Sequence, residues 1–166
     1  MLGLSSSADN IVAAINATQA VIQFSLDGII QSANDNFLNV MGYDRNEVVG
    51  KHHSMFVEPA DAQSEQYRMF WQKLREGHSQ TAEFKRITKS GQDVWIQATY
   101  TPIKKHGRVE RVIKFATDIT EQVLMRANLQ SQISAIHKAQ AVIEFNLDGR
   151  IITANDNFLN LMGYNL

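Results

Sequence analysis

The sequence predicts an antiparallel α+β domain, and three observations lead there. Short alternating apolar segments are separated by Asp27-Gly28, Ser90-Gly91 and His106-Gly107, which are turn dipeptides. Between the first two turns the apolar spacing changes to that of helices. Then 25 residues recur: Gln19 to Tyr43 reads QAVIQFSLDGIIQSANDNFLNVMGY, and Gln140 to Tyr164 reads QAVIEFNLDGRIITANDNFLNLMGY. The offset is 121 and 19 of the 25 positions match. Such a repeat means duplicated units. The chain thus holds one whole unit and the first part of a second, as expected of a piece of a longer tandem-domain protein. The partial copy carries apolar Phe145, Ile151, Phe158 and Leu161, so disorder or docking on another chain is expected of it.

The elements follow in order. Residues 8–17 read as a short helix with Ile11, Val12 and Ile15 on one side. Residues 20–26 and 29–33 read as a hairpin about Asp27-Gly28. Asn34, Asp35 and Asn36 suit the start of a helix over 34–41, with Gly42 as its stop. Asp44 and Glu47 have capping-box spacing. Pro59 opens one long helix to residue 76, with an apolar stripe of Tyr67, Phe70, Trp71 and Leu74. Three strands follow over 81–88, 93–103 and 109–117. Asp118 to Glu121 then cap a helix reaching residue 137. The unit reads β-β-α-α-β-β-β.

Composition narrows the function. The 166 residues carry 16 Lys+Arg against 17 Asp+Glu, a formal charge of -1. That balance argues against nucleic-acid binding through a basic surface. There is no cysteine, which removes disulfides, iron–sulfur clusters, cysteine zinc sites and a cysteine nucleophile. No window reaches the length of an apolar membrane span, and the N-terminus lacks the pattern of a secretion signal. No phosphate loop, nucleophile elbow or metalloprotease motif occurs. These features point to a cytoplasmic, non-enzymatic domain without a metal centre.

The ordered motifs resemble the PAS sensory superfamily. They are Leu26-Asp27-Gly28, Ala33-Asn34, Met41-Gly42-Tyr43, Gly50-Lys51, Gly91 with Trp95, Thr101-Pro102-Ile103 and Thr117-Asp118-Ile119-Thr120-Glu121. The stretches from Tyr67 to Leu74 and from Lys114 to Asp118 resemble the tandem PAS sensors of soluble, aerotaxis-type methyl-accepting chemotaxis receptors. This resemblance implies a five-stranded antiparallel sheet with helices on one face around a small pocket. It implies an N-terminal cap helix (1–18), a PAS domain (19–120), a linker helix (121–139) and a truncated second repeat (140–166). It further implies a homodimer through the N-terminal and linker helices, and a downstream chemotaxis signalling domain.

The resemblance implies FAD as cofactor, with haem, another small ligand or none as alternatives. Trp71 stands where flavin-binding relatives place an indole, or it is a core aromatic. Arg86 stands where such relatives often carry Asn, so it offers donors only; it is otherwise an exposed edge charge. Lys114 shares the inward face with Val112 and Ala116 and suits an anionic group. Val94, Ile96, Ala98 and Tyr100 form the inner face of the central strand, with Ile96 and Ala98 as cofactor contacts. Trp95 then faces outward. His53, or its neighbour His52, is the haem-ligand candidate, or a loop residue bonding backbone. Asn34 caps its helix and is also placed among the cofactor contacts. Asp118 and Thr120 cap the exit helix and relay strain to it. Ile119, Val123, Leu129, Ile133 and Ile136 form an apolar stripe for a dimer contact.

Overall fold

The computed structural model describes residues 3–164. Expectations for residues 1–2 and 165–166 lie outside the described residues. The chain forms two compact units, divided after Thr120.

The first unit begins with helix α1 (Gly3–Thr18) and strand β1 (Ala20–Phe24). Strand β2 (Ile30–Ala33), helix α2 (Asp35–Met41) and the single turn α3 (Arg45–Val48) follow. A 3₁₀ turn (His53–Phe56) precedes α4 (Pro59–Ala62) and α5 (Glu65–Arg75). Strands β3 (Gln80–Ile87), β4 (Asp93–Lys105) and β5 (Arg108–Asp118) complete the sheet. All its pairs are antiparallel, in the order β2-β1-β5-β4-β3. β1 lies between β2 and β5, so the first and last strands meet. Alternation on β4 buries Val94, Ile96, Ala98 and Tyr100, while Trp95 is half-buried on the opposite face.

The expected helix from Pro59 to residue 76 is two helices. Ser64 breaks it. Its Oγ donates to Asp61 O at 2.6 Å and accepts from Tyr67 N–H at 3.1 Å, so it caps α5. A serine side chain competes with the helical backbone in this way. The N-terminal helix is longer than its apolar spacing indicates.

Asn34 and Asn36 fasten α1 to the sheet. Asn34 Oδ1 accepts from Val21 N–H at 2.9 Å and Phe37 N–H at 3.0 Å. Its Nδ2 donates to Gln19 O at 2.7 Å, and Asn36 Nδ2 donates to Asn16 O at 2.9 Å. Asn34 was expected among the cofactor contacts as well as at the cap. Its carboxamide is instead committed to backbone at the α1–β1–α2 junction.

The second unit contains α6 (Thr120–Ala139, whose first residue belongs to the first unit), β6 (Ile143–Phe145), β7 (Ile151–Ala154) and α7 (Asp156–Met162). The disorder expected of the partial repeat is not what the structure has: β6 and β7 pair antiparallel, as β1 and β2 do. Asn155 Oδ1 accepts from Val142 and Phe158 N–H, each at 2.9 Å, and its Nδ2 donates to Gln140 O and His137 O. The identical residues of the two copies thus make the same junction. Phe145, Ile151 and Leu161 are exposed.

Asn34→Ala leaves two backbone N–H groups without their partner. It is expected to lower the unfolding free energy by about 2 kcal/mol, measured by urea denaturation. Asp35→Ala, at an exposed position beside it, is expected to stay within about 0.5 kcal/mol.

Candidate functional site

The site is the packed interior where the inner sheet face meets the helices that cross it. Backbone contacts bring His53 there. Ile30 N–H donates to Lys51 O, Gly50 N–H to Ile30 O, and His53 N–H to Gly28 O, the last at 2.8 Å. These bonds press residues 50–53 along β2 and turn the His53 side chain inward. Gly28 has φ +77°, and a Cβ there would come within 2.7 Å of His52 Nε2 and 3.1 Å of the Trp71 indole. Glycine is therefore required both for the turn and for this close approach.

A chain of hydrogen bonds crosses the core. Arg86 Nη2 donates to Tyr100 Oη at 3.3 Å. His53 Nε2 lies 2.9 Å from Tyr100 Oη, and its Nδ1 lies 2.8 Å from Tyr67 Oη. Tyr100 accepts from Arg86, and in one of the two neutral tautomers it donates its own proton to His53 Nε2. Nδ1–H then donates to Tyr67. β3, β4, the 3₁₀ turn and α5 are joined by one polar line.

Positive charge is concentrated around it. His53, Arg86 and Lys114 are the buried polar or charged side chains among the described residues, at 0, 7 and 1% exposure. Among the described residues no carboxylate is buried with them or forms an ion pair with Arg86 or Lys114. The Lys114 ammonium stands 5.2 Å from the Phe37 ring centroid and 5.1 Å from that of Tyr100. The Arg86 guanidinium lies 4.7 Å from the Phe84 ring. Ring faces offset part of the cost of such burial, but not as a carboxylate would. Desolvation, and next the Arg86 charge, hold the Lys114 ammonium well below its usual range. Desolvation also raises the Tyr67 phenol to about 12, against a smaller opposing effect of the Trp71 indole. Arg86 Nε is a buried donor without a partner, and Trp71 Nε1 faces the Tyr67 hydroxyl, which it influences, without reaching full hydrogen-bond geometry.

Several expected residues meet here. Trp71, Arg86, Lys114, His53, Ile96 and Ala98 are all buried in the one unit. Trp71 packs edge-to-face on Phe24 at 5.7 Å and on His53 at 5.5 Å. Arg86 is buried, against the alternative of an exposed edge charge. His53 is no free iron ligand, since both ring nitrogens are engaged. His52 Nδ1 accepts from Ser54 N–H at 3.1 Å and so caps the 3₁₀ turn. Among the described residues no group of three or more His, Asp or Glu is placed to hold a metal ion. Asp118 and Thr120 lie apart from the core, at the exit of β5. Trp95 N–H donates to Thr120 Oγ1 at 2.9 Å, and Thr120 Oγ1 donates to Asp118 Oδ1 at 2.6 Å. The hydroxyls of Tyr67 and Tyr100 are site groups that the apolar stripe and the inner strand face did not reveal.

The family model described as PAS fold matches residues 30–116. The chain belongs to the PAS family. A second PAS domain model matches 140–165, within the partial repeat. The PAS chain is 44% identical, over 92% of its length, to the biofilm dispersion protein BdlA of Pseudomonas aeruginosa. It is 28% identical, over 58% of its length, to the aerotaxis receptor of Escherichia coli. It spans 37% and 19% of those two relatives. Among solved structures, a PAS domain from Colwellia psychrerythraea has TM-score 0.60 and 21% identity, covering 69% of this chain and all but 2% of that one. A light-oxygen-voltage domain studied with a flavin analogue has TM-score 0.58 and 22% identity, covering 76% of this chain and 96% of that one. These two likenesses are of fold. Among the described residues, no helix is long and apolar enough to cross a membrane.

Desolvation, then the Arg86 and Lys114 charges, then His52, hold the His53 ring well below its usual value of 6.5. In the unfolded chain the ring protonates as pH falls through about 6.5, while in the fold it stays neutral. Its contribution to stability is therefore intact above that pH. Below it, stability falls by up to about 1.4 kcal/mol per pH unit. Urea unfolding at pH 7, 6 and 5 is expected to show a flatter profile for His53→Gln than for the unaltered protein.

Proposed function

We propose that this PAS unit is the sensory input module of a cytoplasmic taxis transducer and that it holds FAD and reports redox state. One observation carries the reading: Arg86 Nε is an unpartnered donor, Trp71 Nε1 is only weakly engaged by Tyr67, and Lys114 is buried without a carboxylate, all in one aromatic interior. A flavin ring presents carbonyl oxygens and ring nitrogens that accept hydrogen bonds, so a donor-rich interior fits it. Bound flavin supplies one- and two-electron redox chemistry, and its ring carries more negative charge when reduced.

In this reading Trp71 covers the ring, Arg86 and Lys114 stabilise added negative charge, and Ile96 and Ala98 give a flat floor on β4. Asp118 and Thr120 carry a shift of β4 and β5 to the start of α6, because Thr120 is bonded to Trp95 N–H. The module needs no catalytic step and no nucleic acid or membrane partner. Exposed Ile11 and Val12 on α1, and Leu129, Ile133 and Ile136 on α6, provide apolar surface for a homodimer. The likeness to BdlA and to the aerotaxis receptor supports a chemotaxis signalling domain as the downstream partner. A second reading, a cofactor-free dimerisation module, draws on the ring contacts that close the core, such as Phe70 on Tyr100 at 4.8 Å.

The absorption spectrum of the purified protein, with fluorescence of the supernatant after heating, decides between them. Blue and near-ultraviolet flavin bands are expected. Trp71→Phe is expected to lower flavin content several-fold, with a loss of stability under about 1.5 kcal/mol. A colourless protein that stays colourless after incubation with FAD overturns the flavin reading.

A further inference from the structure

The polar line through the core reaches the surface at one place. A groove of about 730 Å³ runs between α5 and β3, within the usual range of small-molecule sites. Its walls include Tyr67, Met69, Phe70 and Phe84, and Arg86 lines it. Phe70 and Phe84 meet edge-to-face at 5.9 Å, so a further ring laid between α5 and β3 finds aromatic partners. Met69 is 49% exposed, and its thioether adds a soft, adaptable contact.

Arg86 is out of balance with this setting. It is 93% buried on the exposure of 7%, has no acidic partner, and commits only two of its five donors, to Lys85 O and Tyr100 Oη. Its Nε has none. A buried guanidinium without a counter-charge is costly, and a carboxylate is its best-matched partner in shape and charge. Lys73 adds positive charge to the groove lining, and Asp61 is the acidic group of that lining. Among the described residues, Asp61 forms no ion pair with Arg86 although both line this groove.

We propose that the α5–β3 groove binds a small monocyclic aromatic carboxylate, with the ring against Phe70 and Phe84 and the carboxylate on Arg86. This ligand differs from the flavin proposed for the interior and enters from solvent. It shares Arg86 with the flavin reading, so FAD and this ligand compete for that side chain, and titration of flavin-stripped protein tests this site by itself. Occupancy supplies the missing counter-charge, so it stabilises the fold, and Arg86 carries the effect to Tyr100 and His53.

Benzoate and its neutral isostere benzamide separate charge from ring packing. Titrations followed by amide NMR shifts are made on protein of measured flavin content, both stripped and loaded with FAD. Benzoate is expected to bind with shifts centred on residues 67–73 and 84–86, and benzamide to bind at least about tenfold more weakly. Arg86→Gln is expected to erase the difference between the two probes, and Arg86→Lys to keep part of it. Phe84→Ala, at a half-buried position, is expected to weaken both probes alike. Equal binding of benzoate and benzamide by the unaltered protein, shifts confined to other surfaces, or no binding at millimolar benzoate overturns the proposal. Benzoate binding by a protein that takes up no FAD supports this site and removes only the flavin reading.

Discussion

Two hydrogen bonds to one imidazole hold the helical layer to the sheet. His53 meets Tyr67 on α5 and Tyr100 on β4. Arg86 extends the line by donating to Tyr100. The same guanidinium, with Lys114, places positive charge around the ring and keeps it neutral. Geometry and electrostatics are thus one constraint. The orientation of Trp71 depends on it as well, since the indole packs on His53 and on Phe24.

The interior this constraint produces is poor for stability and suited to binding. A core of the same volume filled with aliphatic side chains would avoid the desolvation of two cations. The unpartnered Arg86 Nε adds to the cost. In the proposed reading these groups, in a unit with an otherwise closed apolar core, are the ones that receive an acceptor or an anion. The path outward runs along the sheet. β4 carries Tyr100 on its inner face and Trp95 on its outer face, and Trp95 bonds the first residue of α6. In the proposed reading this bond carries a shift of β4 to that helix.

Much of this was legible in the sequence, for physical reasons that can be named. Alternation grouped Ile96 and Ala98 with Val94 on β4, and Lys114 with Val112 on β5, and the family resemblance indicated that these faces look inward. The repeat carried its own meaning: Asn34 and Asn155 sit in identical triplets and make the same junction. What stayed hidden was long-range. Tyr100 reads as one more apolar residue on the inner face, and its partner His53 lies 47 residues away in the chain. Arg86 reads as a ligand contact or as an exposed edge charge, and the choice stays open because burial of an arginine has no local signature. The break at Ser64 was missed because Pro59 and the stripe of α5 suggest one continuous helix, whereas a single serine hydroxyl ends it.

The central claim is that the interior carries cationic charge at the expense of stability and in favour of a ligand. Lys114→Met tests it most directly, because it keeps the volume and removes the charge. The measurement is the unfolding free energy of ligand-free protein at pH 7, beside the amount of FAD each protein retains. The expected result is a more stable variant that retains less FAD. A variant that loses stability as an ordinary core truncation does, by about 2 kcal/mol or more, and retains FAD unchanged, would contradict the account.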